Sequence, residues 1–304
     1  MKIIFGILAS TNDDYSSFID IWIDNIRRFK AGPYKDLIDF YFLYFEPDRS
    51  HSVIEKENGC YYDYYSEYIP NISIMDSFLK RTVSLMDYLR DNNKLGTFFI
   101  RTNLSTLFNL DLFVKWSRTI PKKNLIAGSI IDHLNLIYTT ISGANILLTR
   151  DLVNFVLNNK EHLLDESVLE GDDERISSLI IENVDVNILL MKRLDFIESE
   201  YVKPACIVFQ SGKVLDNLVC YRFKTCDRKN DIKLMRIMFN NIYSTSFNTH
   251  SFALSLVNDP NYVFKSTFIN QNDYEKLTYD AFQIKVQSDI MKKYNRYLNV
   301  SLKN

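Results

Sequence analysis

Along the first third of the chain, short apolar runs alternate with stretches of helical period, and this alternation limits the folds open to it. Ile3-Ile4-Phe5-Gly6-Ile7-Leu8-Ala9 predicts a strand over residues 2–9. Phe18, Ile21, Trp22, Ile26 and Phe29 then recur at helical spacing between Ser16 and Phe29. Ile38 to Phe45 is apolar apart from Asp39 and stops at Glu46-Pro47-Asp48, the pattern of a central parallel strand covered on both faces. From Ser73 to Arg90, the residues Ile74, Phe78, Thr82, Leu85, Met86 and Leu89 mark an amphipathic helix, with Ser73 as N-cap and Asp76 three residues on. The pattern predicts an α/β domain built on a mixed, mostly parallel sheet flanked by helices.

The next segment, TFFIRTNLSTLFNL from Thr97 to Leu110, is where the sequence first points to a site. Thr97-Phe98-Phe99-Ile100 has the content of a buried strand, and Arg101-Thr102-Asn103 follows with no Gly or Pro to mark an ordinary turn. Open α/β sheets bind ligands just beyond the carboxyl ends of their strands. The other reading is a solvated strand-to-helix connection with Asn103 or Ser105 as the helix N-cap.

Elsewhere the periodicity predicts a loop from Arg49 to Gly59, a third, partly exposed strand in Tyr61-Tyr62-Asp63-Tyr64-Tyr65, and a short helix from Leu107 to Trp116. Strand-like runs follow at Leu125-Ile126-Ala127, Leu136-Ile137-Tyr138 and Ile146-Leu147-Leu148, the last preceded by the turn Ser142-Gly143-Ala144. A helix is expected from Arg150 to Asn158, and Asp172-Asp173-Glu174 opens another with Ile176, Leu179 and Ile180 on one face. Further strands are expected at Val186–Leu190, Ile207–Phe209 and Leu218–Phe223, then a helix from Asp231 to Tyr243. The α/β domain accordingly spans residues 1–245. Residues 246–304 read as a helical extension, with a turn at Asp259-Pro260-Asn261 and a helix-like stretch from Tyr274 to Leu298, packing on the domain or mediating a homodimer.

Charge and motif content remove several function classes. Lys plus Arg total 36 against 38 Asp plus Glu, so a net charge of −2 offers no bulk attraction to nucleic acid or a membrane surface. No apolar run reaches the ~18 residues of a spanning helix, and the first run is too short for one. Cys60, Cys206, Cys220 and Cys226 form no CxxC pair and read as free thiols of a reducing, cytoplasmic setting. His51, His133, His162 and His250 are scattered, so no metal-ligand spacing emerges. The chain lacks GxGxxG after its first strand, and lacks GxxxxGK[ST], GxSxG and HExxH, which disfavours dinucleotide oxidoreductases, P-loop NTPases, α/β-hydrolases and zinc proteases. The 19 Tyr and 21 Phe suit the binding of bases and sugars, and suit equally the codon bias of an AT-rich genome.

Two constellations could carry chemistry. Lys80, Arg101 and Asn103 combine with Arg222, Lys224 and Arg228; a strand ending near residue 223 puts Arg222 and Lys224 on one face, either as a diphosphate clamp or as a solvated face. Asp172 and Asp173 at a helix start could supply a general base, or serve only the helix dipole.

Taken in chain order, these pieces resemble the nucleotide-sugar glycosyltransferases of the GT-A, Rossmann-like fold, particularly fringe- and galactosyltransferase-like enzymes and transferases of large DNA viruses. The resemblance covers roughly residues 2–245 and rests on KIIFGILAS, the helix carrying Lys80, FFIRTNLSTLFNL, ISGANILLTRDLV and LEGDDERISSLI. It implies a hexosyl- or pentosyltransferase that moves a sugar from a nucleotide-diphosphate donor, with a UDP-sugar as first choice, to a hydroxyl of a glycan or glycoprotein, with inversion. It implies Ala9, Ser10 and Glu46 near the base and ribose, Lys80 and Asn103 near the ribose and phosphates, and Ser142-Gly143-Ala144 on the acceptor side. Asp173, with Asp172 as competitor, is the implied base. Arg101-Thr102-Asn103 stands where such enzymes carry metal-binding aspartates, so no metal ligand is assigned. The expectation is a reaction that requires no cofactor, with Arg101, Arg222, Lys224 and Arg228 neutralising the diphosphate; Mn²⁺ or Mg²⁺ dependence is the alternative. A viral source would place it in host cytoplasm. The competing classes are a catalytically inactive module that binds nucleotide sugars or glycans, and a nucleotidyltransferase.

Overall fold

Strand β1 (Ile3–Leu8) is buried along its whole length, which is why every residue in it is apolar or glycine. In the computed structural model it lies between β2 (Ile38–Tyr44) and β5 (Phe98–Asn103), parallel to both. The structure describes residues 1–49, 52–132, 139–164, 171–197, 206–209, 218–225, 227–244, 246–249, 251 and 268–270. In chain order the remaining elements are α1 (Asp13–Lys30), β3 (Ser52–Lys56), β4 (Tyr61–Tyr65), α2 (Ile74–Asp91), β6 (Thr106–Phe108), α3 (Leu110–Thr119), β7 (Leu125–Gly128), β8 (Ile130–Asp132), β9 (Thr139–Ile141) and β10 (Asn145–Thr149). They continue with α4 (Arg150–Asn158), α5 (Lys160–Leu163), α6 (Asp172–Asn183), β11 (Asn187–Leu190), β12 (Arg193–Ile197), β13 (Cys206–Phe209), β14 (Cys220–Lys224), α7 (Arg228–Asn241) and β15 (Phe268–Asn270).

The main sheet runs β11-β7-β10-β5-β1-β2-β4-β3. Its central block β5-β1-β2-β4 is parallel, β10 runs antiparallel between β5 and β7, and β3 closes the far edge antiparallel. Because strand side chains alternate, β1 serves two cores. Ile3, Phe5 and Ile7 pack with Phe18, Trp22, Ile26 and Phe29 of α1, while Ile4 and Leu8 pack with Leu79, Val83, Met86 and Leu89 of α2. Helices therefore cover both faces, as the apolar run of β2 required. Ser73 caps α2, its hydroxyl accepting from the Asp76 amide at 3.0 Å.

A second sheet, β15-β13-β12-β14-β6, stands on the α1 side. The chain enters it directly from β5: three residues on, β6 pairs antiparallel with β14. Trp22 of α1 donates its indole N–H to the Leu104 carbonyl at this corner, 3.0 Å away, and Asn25 reaches the Phe108 carbonyl at 3.0 Å. No helix among the described residues is long and apolar enough to cross a membrane.

The alternation of elements is the expected one, with local corrections. The loop expected over 49–59 contains edge strand β3, whose Glu55 and Lys56 had masked it. The helix expected from Leu107 begins at Leu110, capped by Asn109 rather than by Asn103 or Ser105, because residues 106–108 are taken up as a strand. The tyrosine segment is an inner strand of the sheet edge, with Tyr62 stacked on Tyr41 and Tyr65 on Tyr44. Strand β15, which falls within residues 246–304, pairs parallel with β13 of the second sheet. The strand expected at 136–138, the helix at 274–298, the turn at 259–261, and Cys226, His51, His133 and His250 lie outside the described residues.

Candidate functional site

The carboxyl ends of β1, β2 and β5 open into a cleft of about 610 Å³. The chain order reverses here: β2 lies on one side of β1 and β5 on the other, the arrangement that leaves a crevice at the strand ends. The floor is made by Ala9, Ser10 and Thr11 after β1, by Tyr44, Phe45 and Glu46 after β2, and by Asn103, Leu104 and Ser105 after β5. Ala9, Ser10, Glu46 and Asn103 are therefore together, as expected.

One wall is cationic. Arg222 and Lys224 share a face of β14, Tyr221 and Phe223 fill the core behind them, and Arg228 opens α7; all three cations line the cleft. Arg222 Nη1 lies 4.0 Å from Asp195 Oδ2, but Arg193 grips that same carboxylate, donating to Oδ2 at 2.7 Å. Arg228 pairs with Asp231 at 3.0 Å and sits 5.7 Å from the Tyr15 ring centre. The crowding is electrostatically costly: the charge of Arg222, then burial, then Arg228 hold the Lys224 ammonium below its usual range. An anion bound in the cleft would relieve that cost.

The opposite wall carries the carboxylates. Asp172 and Asp173 form the first turn of α6 and face the Ser142-Gly143-Ala144 turn. Asp173 is half-buried and its Oδ2 accepts from the Gly143 amide at 2.7 Å. Asp172 is buried and ion-paired with Arg101, whose other terminal nitrogen donates to the Gly143 carbonyl. Burial pushes the Asp172 carboxyl above its usual range against the pull of Arg101. Arg101, expected as a cation for the diphosphate, lines the cleft but has its charge already compensated. Ser142 accepts from Arg193 at 3.0 Å, which ties the turn to the second sheet.

Lys80 departs from expectation. It lines a second hollow of about 540 Å³ with Tyr64, Ser84 and Asp87, away from the other candidates. Its neighbour Arg81 takes the place in the cleft. Arg81 is 5% exposed, donates from Nη1 to the carbonyls of Ala9 at 2.7 Å and Leu43 at 2.9 Å, and from Nε to Ser77 at 3.2 Å. These acceptors are all carbonyls. Burial first, and then the Arg101 charge, push its pKa down to about 10. The sequence carried a signal for it, a charge on the apolar stripe of α2, where helical spacing from Phe78 and Leu85 puts position 81 inside.

Among the described residues the cleft is lined by only three carboxylates, Glu46, Asp172 and Asp173, and no group of three His, Cys, Asp or Glu converges anywhere. Asp172 is committed to Arg101 and one oxygen of Asp173 to Gly143.

No family model matches the chain, and no curated protein matches it in sequence. Among solved structures, a glycosyltransferase involved in the glycosylation of the major capsid of PBCV-1 aligns with a TM-score of 0.46 and 8% identity, over 78% of this chain and 100% of that one. That likeness is too distant to carry an argument, and the functional reading rests on the cleft.

Proposed function

We propose that the protein is a GT-A-like glycosyltransferase that moves a sugar from a nucleotide-diphosphate donor to an acceptor hydroxyl. The observation that carries this reading is the pairing, across one cleft at the ends of parallel strands, of three cations with a half-buried carboxylate. A nucleoside diphosphate fits the first group and an acceptor hydroxyl needs the second. Ala9, Ser10 and Glu46 would hold base and ribose, Asn103 the ribose or phosphates, and the Ser142-Gly143-Ala144 turn the acceptor.

Asp173 is the base in this scheme, because Asp172 is buried and committed to Arg101. The acceptor oxygen forms a bond to the anomeric carbon as its proton passes to Asp173. The bond from that carbon to the β-phosphate oxygen breaks, its electron pair leaves with the nucleoside diphosphate, and the configuration inverts. Arg222, Lys224 and Arg228 stabilise the charge that develops on the leaving group, a job that needs preorganised cations and no proton transfer. The reaction is proposed to run without a metal on this account of the donor set.

The test is transfer and donor hydrolysis with a panel of UDP- and GDP-sugars, with and without chelator. Turnover that survives chelator is expected; turnover that disappears with it would overturn the cationic account. Asp173→Asn should lower kcat roughly 100- to 10,000-fold, the range of a general base, with nucleotide affinity retained. Tight nucleotide-sugar binding without turnover by the unaltered protein would reassign the cleft to a recognition module.

A further inference from the structure

Arg101 presents the least expected geometry in the cleft. It is a cation at the end of a central strand, 3% exposed, with one terminal nitrogen on the Gly143 carbonyl and the other on Asp172. Its Nε is buried with no hydrogen-bond partner, so the side chain's placement is set by the two terminal contacts. Gly143 is in turn held at both backbone groups: its carbonyl accepts from Arg101 and its amide donates to Asp173 Oδ2 at 2.7 Å. Asp172 and Asp173 are consecutive, so the contacts close a ring that runs from Arg101 to Gly143 to Asp173 to Asp172 and back to Arg101. The ring joins β5, the turn before β10 and the first turn of α6.

We propose that Arg101 is a positioning residue for the base Asp173, acting through Asp172 and Gly143, and is not a ligand of the diphosphate. This rests on the transferase reading above. The ring pins Asp173 Oδ2 on the Gly143 amide, which leaves Oδ1 as the oxygen to take the acceptor's proton. Paired with Asp172, Arg101 presents a dipole to the rest of the cleft, whose field falls off faster than that of a single charge. Neutralising the diphosphate is left to Arg222, Lys224 and Arg228. A base displaced by about 1 Å loses on the order of 100-fold in rate while the substrate still binds.

Removing Arg101 alone would strand the Asp172 carboxylate in the core, so the informative variants are the neutral pair Arg101→Met with Asp172→Asn, and Arg101→Lys. Lysine keeps the charge and lacks the fork that reaches Gly143 and Asp172 together. For each variant, UDP and GDP affinities are measured calorimetrically in chelator, and kcat and KM with the nucleotide sugar that the wild type turns over. The expected result is a kcat about 100-fold down in both, with the dissociation constant of the preferred diphosphate within threefold of wild type. Lys224→Gln should show the reverse split. A diphosphate affinity weakened tenfold or more in either Arg101 variant, or a kcat within threefold of wild type, overturns the proposal. If the double variant unfolds, Arg101→Lys decides alone. A wild type that turns over no nucleotide sugar overturns the transferase reading itself, and this inference falls with it.

Discussion

Position 143 admits no side chain. A Cβ built on Gly143 collides with Arg101 Nη1 and lies 3.0 Å from the Asp173 Cβ, so even alanine must push Arg101 or Asp173 aside. Gly143→Ala is expected to destabilise the fold by about 1–3 kcal/mol, as overpacking of a filled interior does, and to lower kcat further than stability alone explains. Denaturant unfolding beside steady-state kinetics checks this, and wild-type values in both would refute the close approach. The turn itself was legible from Ser142-Gly143-Ala144, since glycine after serine punctuates a strand pattern. The approach of Arg101 was not, because it comes from 42 residues away. That Arg81 and not Lys80 lines the cleft was hidden for a related reason. Adjacent helical residues point about 100° apart, and the resemblance supplied a helix without its rotation, whereas the apolar stripe of α2 carried that rotation and placed Arg81 inside.

Strand β14 divides the cleft from the core between its two faces. Arg222 and Lys224 look into the cleft, while Tyr221 and Phe223 are buried, Phe223 stacked on Phe196 with ring centres 5.1 Å apart. Lys224→Gln should weaken nucleoside diphosphate binding about tenfold or more, given roughly 1.5–3 kcal/mol for a hydrogen bond to a charged group, with little change in unfolding. Phe223→Ala should cost about 3–5 kcal/mol of stability. Calorimetric titration and thermal melts of the two variants separate these effects, and a Lys224→Gln variant that binds diphosphate as the wild type does would remove the cationic wall from the site. The alternation that assigned these faces was readable because apolar and basic residues take turns along Tyr221-Arg222-Phe223-Lys224. In β12 the same logic fails. Arg193 and Asp195 occupy buried positions and neutralise each other two residues apart on one face, so Arg193-Leu194-Asp195-Phe196-Ile197 reads as a polar strand or a loop until the ion pair is seen.

At the scale of the molecule, the cleft takes its floor from the main sheet and its cationic wall from the second sheet. The parallel block β5-β1-β2 and the end of it that opens into the cleft were readable from the chain, because apolar strands alternating with amphipathic helices leave few other arrangements. The second sheet was not readable as a layer: its β6–β14 pairing joins residues more than a hundred positions apart, which leaves no local periodicity. A ligand seated on both sheets must stabilise their shared core. UDP at about one hundred times its dissociation constant should add about 2.7 kcal/mol, raising the melting temperature by on the order of 5 °C. At matched concentrations the shift should grow from uridine to UMP to UDP, because each phosphate reaches further toward Arg222, Lys224 and Arg228, and it should shrink at high salt as their charges are screened. GDP in place of UDP tests the base in the same experiment. A uridine shift equal to that of UDP would mean that the second sheet takes no part in binding, since Ala9, Ser10 and Glu46 of the main sheet would then account for the whole effect.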